Sequence, residues 1–221
     1  MLRQDFAIYY AETQNGVRVE IGASLLLLAL VMIPLLGGAA AFLHGVAVFL
    51  IVLAALHLRE VARSILAGRL GLRLDGVVLS GAGGRTLTER RSCEYDELIA
   101  ISGPLASFSL WALANLALTI VPDGEARYWL EIFAFVNLFV GLFTILPVQS
   151  LDGGRFCYLW LRRRVGAAIA NRLMGAVGLL LAVIWLPASL LAFLICGIVL
   201  IALPSIGEHW AMLKGADAIE D

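Results

Sequence analysis

Charge is scarce in this sequence. Asp, Glu, Lys and Arg make up 15% of 221 residues, apolar residues 61%, and mean hydropathy is +0.92. Roughly a quarter of the residues in a soluble domain are charged, so the shortage excludes an ordinary soluble fold and indicates an integral membrane protein. Sixteen basic residues against 17 acidic ones leave a net charge of −1, with no basic surplus for nucleic acid. Cysteine is scarce too: Cys93, Cys157 and Cys196 show no CxxC spacing, which argues against structural disulfides or a zinc knuckle and reads as small buried or loop thiols. The first 20 residues mix polar and aromatic side chains without a central apolar stretch, so no signal peptide is expected. No inverted repeat or pair of broken helices is visible, and a transporter therefore lacks support.

What the chain has is long apolar runs. Segments at about 21–37, 40–60, 103–121, 128–147, 172–187 and 188–204 each approach the roughly 20 residues a bilayer core needs. The last two form two helices or one kinked at "WLPASLL". Residues 1–20 read as a β-hairpin, since Phe6, Ile8 and Tyr10 alternate before Asn15-Gly16 and Val17 and Val19 alternate after it. Residues of about 71–95, "GLRLDGVVLSGAGGRTLTERRSCEY", have strand-like alternation and several glycines, and are expected to pair with that hairpin at the membrane surface. The expected fold is an all-α multi-pass bundle of about six spans with a small β-hairpin or sheet at the cytoplasmic face. Its parts are the hairpin, a membrane core at 21–160, C-terminal helices at 161–204 and a cytoplasmic tail at 205–221.

Arginines set the expected orientation. Arg69, Arg73, Arg85, Arg90 and Arg91 follow the second run, and Arg155, Arg162, Arg163, Arg164 and Arg172 follow the fourth, whereas the alternate loops are uncharged or mostly acidic. By the positive-inside rule both termini and both Arg-rich loops are cytoplasmic. Arg59, Glu60 and Arg63 close the second apolar run, in "ALHLREVARSILAGRLG", and Asp152 follows the fourth, after Pro147 and before Gly153-Gly154. Both runs go outside to inside, so these four charges reach similar depth.

At these residues the chain resembles the site-2 protease family of intramembrane zinc metalloproteases. That family carries an HExxH helix, a glycine-rich strand segment, an "AGP" opening a third helix and "NLLP…LDGG" at a fourth. Here "REVARSILAGRLGLRLDGVVLSGAGG", "LIAISGPLAS" and "NLFVGLFTILPVQSLDGGRF" match in order and spacing, and "NGVRVEIGASLLLL" is similar to the family's entry into its first helix. The match covers roughly residues 16 to 160. The resemblance implies a zinc held by both histidines of HExxH and by the aspartate of LDG, with the glutamate as general base. Glu60 matches the base and Asp152 the third ligand, but the histidine positions hold Arg59 and Arg63. A guanidinium stays protonated and has no lone pair for a metal. Thr144 stands where the family commonly has Asn, Gln149-Ser150 where it has prolines, and Ser102 for the alanine before Gly103-Pro104. Asn137 matches a polar position of the fourth helix and reads as an interhelical hydrogen bond. The resemblance also implies that "LDGVVLSGAGG" is an edge strand open to an extended peptide, with Gly81, Gly83 and Gly84 permitting close approach of another backbone; the same residues also read as a turn-rich loop.

Two readings of the charges stand. Two guanidiniums and two carboxylates balance as a zinc dication and two carboxylates would, which suggests an ion-pair network of Arg59, Glu60, Arg63 and Asp152 in place of the metal. Alternatively, the arginines snorkel to headgroups and Glu60 with Arg63 is an ordinary i, i+3 pair. His57 could join Glu60 and Asp152 in a relocated site, or be a polar helix-end residue, whereas His44 lies about 20 Å up the helix and His209 in the tail. The expected function is a catalytically inactive site-2-protease-like protein that binds membrane proteins or transmembrane helices in the lipid bilayer of a bacterial inner membrane, possessing no cofactor and no nucleic-acid partner. The alternative is an active intramembrane zinc metalloprotease cleaving near the cytoplasmic face.

Overall fold

The computed structural model describes residues 7–12, 18–33, 38–72, 74–80, 83–88, 93–149, 151–196 and 205–215. The chain divides into two compact units, Met1–Arg91 with Ser102–Gly141, and Ser92–Ile101 with Leu142–Asp221.

The first unit holds strands β1 (Ala7–Glu12) and β2 (Arg18–Gly22), helices α1 (Ser24–Met32) and α2 (Gly38–Arg69), and strands β3 (Leu74–Ser80) and β4 (Gly83–Thr88). To these it adds most of α3 (Cys93–Leu118) and α4 (Glu125–Thr144). The strand backbones form one sheet in the order β1-β2-β3-β4. β1 and β2 are antiparallel, as are β3 and β4, whereas β2 and β3 are parallel, with Glu20 opposite Val78. A parallel pair requires a crossover connection, and α1 and α2 supply it. The crossover ends sharply. Gly71 takes φ +71, its N–H bonds to the Gly68 carbonyl, and the Leu72 N–H reaches the Ala67 carbonyl at 3.0 Å. This paired closure is a Schellman motif, sealed by the buried side chains of Ala67 and Leu72.

The second unit begins with the first turns of α3 and continues through α5 (Asp152–Val165), α6 (Ala167–Cys196) and α7 (Ile206–Leu213). Gly166, at φ +83, breaks α5 from α6, a left-handed backbone that glycine adopts without a Cβ penalty. Tyr158 and Leu159 of α5, Ala170 and Met174 of α6 and Met212 of α7 form its core. Ser205 caps α7 by accepting the Glu208 N–H on its Oγ.

The fold-class expectation is corrected in its count of spans. Among the described residues four helices, not about six, are long and apolar enough to cross a membrane: Gly38–Arg69, Tyr95–Leu118, Glu125–Thr144 and Ala167–Leu191. α1 has nine residues, about 14 Å at 1.5 Å per residue. The expected spans 172–187 and 188–204 are one helix to Cys196, with Pro187 inside it, and residues 197–204 lie outside the described residues. Gly103-Pro104 likewise sits inside α3, which starts ten residues before Gly103. A proline ends a helix in water more readily than in a membrane bundle, where neighbouring groups satisfy the carbonyl it leaves. Large apolar side chains such as Leu116, Ile120, Leu180 and Val183 face outward, as expected of lipid-exposed surface. The protein is an integral membrane protein.

Candidate functional site

The charged triplet of α2 is not at a helix end. α2 runs 32 residues, about 48 Å against an apolar bilayer core of about 30 Å, and Arg59 lies ten residues before its last residue, Arg69. Its buried side chains recur at Ala55, Leu56, Arg59, Glu60, Arg63 and Ala67, the spacing of one helix face. Arg59 is 3% exposed, Glu60 1% and Arg63 4%, whereas Leu58, Val61 and Ile65 are exposed. The helix is therefore inverted relative to a water-soluble one, its ions inward and its aliphatic groups outward. Within the triplet, Arg63 Nη1 donates to Glu60 Oε2 at 3.3 Å. Burial favours the ionised pair over isolated ions, because each charge removed from water needs a close opposite partner.

The same unit buries Ser107 of α3 and Asn137 of α4. Asn137 donates its amide to the Phe133 carbonyl at 2.8 Å, so the expected interhelical bond from that amide is replaced by one within α4. His57 is exposed although Glu60 is buried, so the two do not present donors to one point. His44 sits near Tyr128 and Trp129 instead, its Nε2 3.5 Å from the Tyr128 hydroxyl.

A zinc ion does not fit the donor set of α2. The face that would present two imidazoles presents two guanidiniums, one of them bonded to the glutamate in the base position, and neither offers a lone pair. Among the described residues no three His, Cys, Asp or Glu side chains gather as a metal group.

Asp152 belongs to the second unit, where it is the first residue of α5 and half-buried. The glycines after it have a packing reason. A Cβ at Gly153 would run into the Ile145 carbonyl, and one at Gly154 into the Val148 carbonyl. The chain between α4 and α5 thus lies directly on the first turn of α5, with Val148 buried beneath it. Thr144 is buried and Gln149 half-buried; Ser150 lies outside the described residues. Asp96 of α3 meets Arg155 at 3.5 Å and Glu97 meets Arg163 at 3.0 Å, so the start of α3 holds α5 at two points about two turns apart. Cys157 is packed against the core, and burial pushes its thiol pKa up, making it a poor nucleophile or ligand.

The residue that sequence reasoning missed is His209. Expected in a cytoplasmic tail, it is fully buried on α7. Its Nδ1 lies 2.7 Å from the Ser205 carbonyl and its Nε2 accepts the Gln149 N–H at 3.3 Å. Both contacts are met by the neutral ring protonated at Nδ1. The imidazole lies against Gly178 of α6, where a Cβ would overlap it, and Gly175 leaves room for the Leu213 backbone. One signal was available: a lone histidine within the apolar "IGEHWAML".

Of the proposed partner-strand glycines, Gly81 lies outside the described residues. Gly83 and Gly84 open β4, opposite Ser80 and Leu79. The strand order places β4 at the edge and β3 between β2 and β4. The expectation that "LDGVVLS" is itself the edge is therefore corrected, since both its sides are taken.

No protein-family model matches the chain. Over 153 residues, 62% of the chain, it is 34% identical to a Mycobacterium tuberculosis protein assigned as a zinc metalloprotease, Rip3. Over 65% of the chain it is 26% identical to the zinc metalloprotease MJ0392 of Methanocaldococcus jannaschii. It spans 38% and 43% of those relatives' own lengths. A solved site-2 protease from Methanocaldococcus jannaschii shares its fold, with a TM-score of 0.70 and 22% identity over 96% of each chain. Relatives with these names and a fold shared along nearly the whole chain lead to one conclusion: the chain is similar in sequence to zinc metalloproteases and has the fold of a site-2 protease.

Proposed function

We propose that this chain is a catalytically inactive member of the site-2 protease family that binds membrane-protein partners, as a holder of a client helix or a subunit of a larger membrane complex. The observation that supports this reading is the burial of Arg59 and Arg63 on the face of α2 that should carry imidazoles. In this reading Arg59, Glu60 and Arg63 are held on α2 as an ion-pair group where the family would hold its metal. No cofactor is needed. The edge strand β4, with Gly83 and Gly84 at its start, would give an extended segment of a partner a place to add as a strand. The arginine-rich connections support a cytoplasmic placement of both termini, in a bacterial inner membrane.

Metal content tests the proposal. The purified chain is expected to carry no stoichiometric zinc, and the Arg59→His/Arg63→His double substitution to gain it. Stoichiometric zinc in the unsubstituted chain, or cleavage of a transmembrane peptide that Glu60→Gln abolishes, overturns the reading in favour of an active metalloprotease, which the names of the relatives favour.

A further inference from the structure

The second unit carries a cluster of cations that the reading above leaves unused. α5 ends in Arg162, Arg163 and Arg164, all exposed, and α6 follows after Gly166. α6 is long and apolar enough to span from Ala167 onward, so this corner lies where a span meets the headgroup layer. Arg172, also exposed, projects from the second turn of α6, about 8 Å along its axis from Ala167.

Among the described residues, Asp96 and Glu97 at the start of α3 are engaged by other arginines of α5. Arg163 takes Glu97 at 3.0 Å and Arg155 takes Asp96. Arg162, Arg164 and Arg172 have no ion-pair partner among the described residues. Aromatic placement agrees with an interfacial position. The Arg164 guanidinium lies 4.7 Å from the Trp160 ring centre, and Trp160 is exposed. Exposed tryptophan is enriched at headgroup level, where one part of the ring is wet and the rest is in hydrocarbon. On the opposite side, α5 buries Tyr158 and Leu159 in the core. The helix thus turns its apolar side to the protein and a Trp–Arg side outward at the membrane boundary.

We propose that the exposed Arg162, Arg164 and Arg172, distributed around the α5–α6 corner, draw anionic phospholipid headgroups to the Ala167 end of α6 by their charge. Arginine suits the role, because its guanidinium stays protonated and attracts phosphate as a permanent cation. Basic residues immediately beside a span attract anionic lipid, each by about fivefold in affinity. The inference does not depend on whether the chain hydrolyses peptides.

Native mass spectrometry of the full chain in neutral detergent, with equimolar phosphatidylglycerol and phosphatidylcholine, tests it. Preferential retention of phosphatidylglycerol is expected, reduced by about tenfold or more in Arg162→Gln/Arg164→Gln/Arg172→Gln. The corresponding triple lysine variant keeps the charge and is expected to keep most of the preference. Equal retention of both lipids by the unsubstituted chain, an unchanged preference in the glutamine variant, or its loss in the lysine variant overturns the proposal. All three side chains are exposed, so the variants are expected to fold, which an unchanged unfolding midpoint in detergent verifies.

Discussion

The buried face of α2 and the seat of α5 carry two of the four family motifs, "REVAR" and "LDGG", and they depart from the family pattern to different degrees. On α2 the place of the motif and the glutamate match, while the two residues that would hold the metal differ. At α5 the aspartate and both glycines match, and the glycines match because the Ile145 and Val148 carbonyls occupy the space a side chain would need. The contrast separates two demands inside one motif set. A position fixed by backbone contact admits no other residue, whereas a position fixed by a ligand admits any group that balances charge and fills the face.

The largest effect should come from unbalancing α2. Glu60→Ala leaves Arg63 buried beside no carboxylate of its own helix turn, and should cost about 3–5 kcal/mol, read from the unfolding midpoint in mild detergent. An unchanged midpoint would show that the arginines turn outward to headgroups, and the contrast would fail. Next comes Gly154→Ala, expected to cost about 3 kcal/mol because backbone must shift to admit the methyl. Gly68→Ala is its control: nothing lies within 4 Å of that site, so the helix should gain up to about 1 kcal/mol. His209→Ala removes the acceptor of the Gln149 N–H, for about 2 kcal/mol, and hydrogen exchange at that one amide should accelerate. The smallest effect belongs to Arg127→Gln. Arg127 contacts Asp123 and Glu131 and donates to the Leu118 and Val121 carbonyls at the end of α3, yet a largely solvated ion pair contributes at most about 1 kcal/mol, less at high salt.

The features legible in sequence were those whose cause is local. The spacing of Arg59, Glu60 and Arg63 places all three on one helix face, and the apolar runs reveal spanning helices. One helix boundary was misread and another left open because Pro104 and Pro187 are strong stop signals in water and weaker ones among packed membrane helices. The depth of the charged triplet was misread for a related reason. "SILAGR" continues α2 past the last purely apolar residues, so polarity ended before the helix did. His209 was illegible because its acceptor role is set by an amide 60 residues earlier. That both sides of β3 are taken was equally hidden, since strand order is decided by pairing across α1 and α2 rather than by any residue within the strand.

The inverted face of α2 has a consequence for recognition. At the level of the charged triplet, the outward side chains are Leu58, Val61 and Ile65, with the exposed His57 beside them, and a neighbouring transmembrane segment arriving there finds one imidazole to read. Discrimination between neighbours on that flank must otherwise rest on contour and dispersion contacts. Turning α2 about its own axis to offer more would put three ionised groups in hydrocarbon, so the flank stays largely greasy whatever docks beside it.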